Sequence, residues 1–163
     1  MPHLRLYSRF QDHGINFVEL AHPPLFSVGD EIELGVVIPG ANSKNLFLKD
    51  KKNNFFLVSV LNHKRVDLKA VSKLYGKGGL SFASAEYLKA HLDLTPGSVT
   101  PYGLLNDTEN KVTFILDEDF LGHVLINFHP LRNDMTVSVA PNDFLTFCTH
   151  INHTPSIIHI PEL

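Results

Sequence analysis

No disulfide can form within this chain, because its 163 residues contain a single cysteine, Cys148. A lone thiol is consistent with a reducing compartment. No apolar run approaches the roughly 20 residues that span a bilayer. The opening residues, Met-Pro-His-Leu-Arg-Leu, also lack the long apolar stretch of a secretory leader. These absences predict a cytoplasmic protein with no membrane partner. Positive charge is scarce too: 14 Lys and Arg stand against 17 Asp and Glu, a formal net charge of −3. A general nucleic-acid binder would carry a basic excess, so DNA is not an expected partner and any RNA contact has to rest on a local patch. Internal repeats, linkers and low-complexity segments are absent as well.

What the chain does have is an ordinary globular balance, 44% hydrophobic and 19% charged residues, in a length that fits one domain over residues 1–163. Helical spacing of Leu4, Leu6, Tyr7 and Phe10 predicts a helix over 3–13, stopped by Gly14. A short strand follows over 15–20, and His22-Pro-Pro24 breaks the chain. Ser27 with Asp30 and Glu31 reads as a helix start, weakened by Gly29 and by Val36-Val-Ile38. Leu46–Leu48 and Phe55–Val60 read as a hairpin around Asp50–Asn54. Asp67 caps a helix to about Tyr75, and Ser84 caps another to about His91. Three strands are expected at Val112–Leu116, Val124–Phe128 and Met135–Val139, then a last helix from Pro141 to about His150. Strands and helices interleave without a regular βα alternation, which predicts an α/β domain of the mixed α+β kind: one mixed sheet with helices around it.

The stretch Thr95-Pro-Gly-Ser-Val-Thr-Pro101 suits neither helix nor strand. Pro96 and Pro101 fix φ and remove donors, while Gly97 opens dihedrals closed to other residues. Such a loop is either a rigid connector or a holder of backbone N–H groups at Gly97, Ser98, Val99 and Thr100, aimed at an anion or an oxyanion. Two further segments interrupt a strand pattern with polar residues at its end: Lys44-Asn-Leu-Phe-Leu-Lys-Asp50 and Asn127-Phe-His-Pro-Leu-Arg-Asn133. Taken alone, Lys44 reads as a surface lysine just before a strand, and His129 as a structural histidine locked by Pro130.

In that order, the three motifs resemble the YbaK/ProX family of freestanding aminoacyl-tRNA editing proteins, and most closely its PrdX-type prolyl-tRNA editing group, ProXp-ala. The resemblance runs from about His22 to Pro155. It implies a compact α/β domain with a mixed, partly barrel-like sheet, and hydrolysis of the ester between an amino acid and the terminal ribose of tRNA. The expected substrate is alanine wrongly attached to proline tRNA, admitted to a small pocket that excludes proline. The implied partners are the acceptor end of proline tRNA and, as a second candidate, prolyl-tRNA synthetase. No cofactor and no metal is implied. Lys44 matches the lysine required for deacylation, and the 97–100 backbone would hold the oxyanion. Asn45, Pro101, His129 and Asn133 would contact substrate, Asn133 reading equally well as a turn residue. Ile38, Phe82 and Val99 are candidates for the pocket wall. The segment after His22-Pro-Pro, Thr-rich in relatives, reads Ser27-Val-Gly-Asp here, a departure that bears on substrate choice. A deacylase for another small amino acid, or an inactive tRNA- or synthetase-binding module, are the alternatives.

Other constellations compete. Lys69, Lys73 and Lys77 recur every four residues, as either a solvated helix face or a tRNA-phosphate stripe helped by Lys64 and Arg65. Gly76-Lys-Gly-Gly79 reads as a helix C-cap and turn rather than a phosphate cradle. Ser98 with His129 lacks the surroundings of a serine hydrolase pair. Cys148, His150, His153 and His159 match no regular zinc spacing. Asp117-Glu-Asp119 reads as an acidic turn after a strand sooner than as a divalent-ion site.

Overall fold

The computed structural model describes residues 2–24 and 38–163. The helix start expected at Ser27–Glu31 lies outside these residues. Helix α1 (Pro2–Asp12) buries Leu6 and Phe10, one turn apart on the same face. Eight strands follow: β1 (Phe17–Ala21), β2 (Ser43–Lys49), β3 (Phe55–Leu61), β4 (Ser81–Phe82), β5 (Val112–Asp117), β6 (Ile126–Phe128), β7 (Met135–Val139) and β8 (Ser156–Ile158). Three more α-helices lie between them: α2 (Leu68–Leu74), α3 (Ala85–Leu92) and α4 (Pro141–His150). The side chains of Asp67 and Ser84 cap α2 and α3 as the sequence predicts.

The strands form two sheets, ordered β1-β7-β6 and β4-β2-β3-β5-β8. All pairings are antiparallel except β3–β5 and β5–β8. A parallel bridge between Ala41 and Ile126 joins the sheets, so the run into β2 continues the edge of β6. The result is the expected mixed α/β fold, but not the single mixed sheet expected from sequence: the strands divide between two sheets that meet at this bridge. In the larger core Phe10, Tyr102 and Phe147 meet edge to face at 5.3–5.5 Å and Phe128 stacks on Phe144 at 4.7 Å. A second cluster on the far side of the five-stranded sheet packs Leu48, Val58, Val60 and Ile115 against Val71 of α2 and Ile160.

Several elements differ from the sequence reading. β2 begins three residues earlier than expected, so Lys44 lies within the strand; backbone pairing with β3 extends through Ser43 although the side chains there are polar. β6 begins only at Ile126, because Val124 is 86% exposed and follows a 3₁₀ turn over Glu118–Gly122. β8 carries only three residues and no periodic pattern, and it went unpredicted. Helix α2 stops at Leu74, with Tyr75 extended, so Lys77 does not continue the stripe of Lys69 and Lys73. Lys64 cannot serve a phosphate at all: it is buried, with its ammonium 2.6 Å from Asp117 and 3.3 Å from Asp119 and donating to the Ile160 carbonyl at 2.9 Å. Burial works against that charge, but the two carboxylates outweigh it and raise its pKa.

The 64–67 turn is also clamped by backbone bonds from Asp67 to Pro161 and from Leu163 to Arg65. Removing only one member of the buried pair leaves a charge stranded. Lys64→Met is expected to cost about 3–5 kcal/mol, and the double variant Lys64→Met/Asp117→Asn to recover much of it. Chemical denaturation of the two variants checks this.

Candidate functional site

The seam between the sheets is held by Asn127, which is 2% exposed. Its amide nitrogen donates to the Pro39 carbonyl at 2.6 Å and to Asn42 Oδ1 at 2.9 Å, and its Oδ1 accepts from Ser138 at 2.6 Å. Its backbone bonds to Ala41 and accepts from the Ser43 hydroxyl at 2.7 Å. Gly40, at φ +93°, has no room for a side chain here: a Cβ would stand 2.7 Å from Asn127 Oδ1. Asn127 lies in a motif the sequence reading marked, yet it was not singled out. Alternation was the available signal, since it puts Asn127 and His129 on one face.

That face carries the candidate site. Ile126 and Phe128 turn into the larger core, so Asn127 and His129 turn away from it. On β2, Phe47 faces the same core while Leu46 and Leu48 face the second cluster, which puts Lys44 on the outer side with them. The bridge from Ala41 to Ile126 is parallel, and Asn42 touches Asn127 across it. Two residues further along each strand stand Lys44 and His129, on one face. Thr136 and His22 extend the row across β7 and β1: His22 Nε2 meets Thr136 Oγ1 at 2.8 Å, and the rings of His22 and His129 lie 5.9 Å apart. Neither Thr136 nor His22 was proposed from sequence, where His22 figured only as part of a chain break.

Lys44 is half-buried, and its ammonium donates to the Lys64 carbonyl. Burial first, and the charge of Arg65 second, hold its pKa below the usual lysine value. His129 donates from Nδ1 to the Met135 carbonyl at 2.7 Å, which fixes the tautomer and leaves Nε2 as an acceptor. Burial, with a smaller contribution from His22, lowers its pKa despite that bond, so the imidazole is neutral near pH 7. Asn133 is half-buried in the following turn, between Arg132 and Asp134, which pair with each other.

Asn45 takes the opposite, core-facing side, as alternation predicts. It accepts from Ser59 at 2.5 Å and donates to Ser43 at 3.2 Å, tying β2 to β3. The Thr95–Pro101 loop opens with a turn in which Ser98 N–H donates to the Thr95 carbonyl at 3.1 Å and Gly97 takes φ +91°. Ser98 therefore has no N–H left for an oxyanion. Among the described residues, the N–H groups of Gly97, Val99 and Thr100 donate to nothing, and none of their hydrogen bonds joins the loop to Lys44 or His129. Thr100 caps the 3₁₀ turn that starts at Pro101, and both are buried. Val99 packs against the larger core and Ile38 is half-buried. Phe82 is 62% exposed and pairs with Leu48, about 13 Å along β2 from Lys44, too far to line a pocket with it.

The rival constellations come apart. Asp117, Asp119 and His159 approach one another, but the Lys64 ammonium occupies the space between the carboxylates. Cys148 is buried, which pushes its thiol pKa up; His150 stacks on His13 at 3.7 Å, and His153 bonds Asp107 at 2.9 Å. A groove of about 650 Å³ at the α1–α4 end, lined by Arg9, Asp107 and His150 among others, contains none of the motif residues.

The neutral, half-buried state of His129 has a measurable consequence. Its folded pKa lies below the unfolded value of about 6.5, so its contribution to stability is lost as pH falls through that region. His129→Asn, which keeps a donor for Met135, is expected to lose less stability than wild type between pH 7 and pH 5 in denaturation at both pH values.

The family model for the aminoacyl-tRNA editing domain matches residues 22–147. The chain is 38% identical over 146 residues to prolyl-tRNA synthetase associated domain-containing protein 1 of Bos taurus, covering 86% of this chain and 85% of that one. It is 32% identical over 137 residues to the prolyl-tRNA editing protein ProX of Acetoanaerobium sticklandii, covering 83% and 84%. The crystal structure of a candidate trans-editing enzyme for prolyl-tRNA synthetase shares the fold, at TM-score 0.72 and 21% identity over 99% of this chain and 98% of that one. The matched stretch contains Lys44, the Pro96–Pro101 loop and His129 together, and the chain belongs to the aminoacyl-tRNA editing domain family.

Proposed function

We propose that the protein, acting over residues 1–163 as one editing domain, hydrolyses the ester of mischarged tRNA in trans, with alanyl-tRNA(Pro) as its substrate. The observation that carries this reading is the position of Lys44 in β2 and of His129 just past the end of β6, each two residues beyond the seam and on one outer face. Membership of the editing family and similarity to a protein named ProX support the reaction class.

In this reading water adds to the ester carbonyl and passes a proton to the ribose 2′-hydroxyl as the carbonyl oxygen takes up the negative charge. The C–O bond to the ribose then breaks, and the ribose oxygen takes a proton with help from the neighbouring 2′-hydroxyl. An aminoacyl ester is already activated, so positioning and charge stabilisation suffice. The N–H groups of Gly97 and Val99 serve the oxyanion, each worth about 3 kcal/mol in a preorganised site, whereas Thr100 is wholly buried and holds the loop to the turn that follows. Lys44 supplies a fixed positive charge against the oxyanion or the terminal phosphate. Neutral His129 offers Nε2 to the substrate's ammonium or to a ribose hydroxyl. Asn45 acts at one remove, by holding β2 in register, and Asn133 borders the His129 side. A small pocket admits alanine and excludes the proline ring by clash. The acceptor end of proline tRNA is the docking partner, with prolyl-tRNA synthetase a further one.

Lys44→Ala is expected to keep the fold and lower deacylation about 100-fold or more, the scale of losing one transition-state charge contact. Wild-type turnover by the folded variant would remove Lys44 from the mechanism. Because the folded pKa of Lys44 is depressed, the rate should also fall as pH rises through it, below the ordinary lysine range. Ser98→Ala should retain most activity, since neither its hydroxyl nor its turn-bound N–H is used; a trapped acyl-enzyme would instead make Ser98 a nucleophile. A panel of mischarged tRNAs, followed for ester loss, decides both the amino acid and whether the protein is an enzyme at all.

A further inference from the structure

We infer that the protein docks the phosphate backbone of its RNA on a basic surface built by the β2–β3 turn, the loop after α2 and the outer side of α2 itself. The inference rests on the editing reading for the identity of the RNA. It differs from a simple helix stripe in what organises the lysines. Lys51 and Lys52 sit in the β2–β3 turn, and Lys77 sits in the loop following α2; all three are exposed. One carboxylate joins the two loops. Asp50, 1% exposed, accepts the backbone N–H of Lys52 and Asn54 and the Asn54 side chain at 2.9 Å, and the backbone N–H of Lys77 at 2.8 Å. Burial disfavours its charge, but these donors outweigh burial and hold its pKa down to about 2. Lys51 N–H donates to the Lys77 carbonyl at 3.1 Å as a second strap.

The Gly76-Lys-Gly-Gly79 run now has a physical role. Gly76 and Gly78 take φ +85° and +82°, and a Cβ on Gly78 would stand 2.9 Å from Lys51 Cδ. Glycine there lets the two loops approach and leaves the Lys51 stem its bed. A clamped pair of loops meets a partner with less ordering cost than free loops would.

Lys69 and Lys73 on α2 extend the surface, so that five of the chain's 14 basic residues fall on these neighbouring elements in a protein of net charge −3. Among the described residues none of the five is in an ion pair, whereas exposed Lys89 and Lys111 pair with Asp93 at 2.6 Å and Glu109 at 3.0 Å. The acids on these elements are already engaged: Asp50 in the clamp, Asp67 in capping α2. Helix α2 covers the face of the sheet to which Lys44 belongs, and the β2–β3 turn opens at Asp50, about 20 Å along the strand from Lys44. A nucleic acid whose single-stranded 3′ end reaches Lys44 would lay its next phosphates over these lysines.

The test compares wild type, the triple variant Lys51→Glu/Lys52→Glu/Lys77→Glu, and a control Lys89→Glu/Lys111→Glu. An uncharged proline tRNA transcript is titrated across a salt series, and hydrolysis of 2′(3′)-O-alanyladenosine, which has no phosphates, is followed in parallel. The triple variant is expected to bind tRNA about tenfold or more weakly at low salt, with the log–log salt slope shallower by about 2, while hydrolysis of the small ester is unchanged and the control behaves as wild type. Equal affinity and slope for wild type and triple variant overturn the inference, as does an equal loss in the control. Retained tRNA affinity with loss of binding to prolyl-tRNA synthetase also overturns it, by making the surface a protein contact. If wild type hydrolyses neither alanyladenosine nor any mischarged tRNA of the panel, the editing reading fails, while a salt-dependent loss of tRNA binding in the triple variant still upholds the surface.

Discussion

The side-chain amide of Asn127 holds the two sheets as one surface. It bonds to the chain entering β2 on one side and to Ser138 of β7 on the other, and a missing Cβ at Gly40 gives it space. A buried amide with its donors and acceptor engaged contributes a modest net stabilisation, but an unsatisfied one in the same place costs much more. The seam is therefore specific: it forms in one register or poorly. Because the bridge is parallel, that register also decides which residues of β2 and β6 come level, and on which side.

Strand alternation then divides the labour of β2. Its odd-numbered residues, Ser43, Asn45 and Phe47, face inward, where Asn45 and Ser59 form a small polar contact beside an aromatic core. Its even-numbered residues run from Asn42 at the seam through Lys44 to Leu46 and Leu48 under α2. One strand thus supplies both a wall of the core and a side of the site. A lysine beside an apolar cluster feels partial desolvation, which together with Arg65 lowers its pKa.

Much of this was legible in the sequence. The capping residues Asp67 and Ser84, the Pro141 start of the last helix and the hairpin around Asp50 all carry local signals, and the helices and hairpin form where those signals stand. Three ordered motifs also pointed to the editing family. What could not be read depended on distant parts of the chain. Lys64 looks like a free cation until Asp117 and Ile160 are seen beside it. His22 acquires a place only through Thr136, 114 residues away. The N–H of Ser98 looked available because a turn bond to Thr95 leaves no trace in residue type. Lys77 kept a helical period that the backbone itself abandons at Tyr75.

The contacts around Lys64 also set an order of assembly. The carbonyl that receives the Lys44 ammonium belongs to a turn fastened by Asp117, by the carbonyls of Ile160 and Pro161, and by the amide of Leu163. On a chain synthesised from its N-terminus, β2 and β3 can pair early, since few residues separate them. The seat of Lys44 is complete only after residues 160–163 have been made and have folded back against 64–67. A nascent chain that has not yet exposed residues 160–163 would carry every motif residue and yet hold its lysine loosely, so competence follows these residues rather than the motifs.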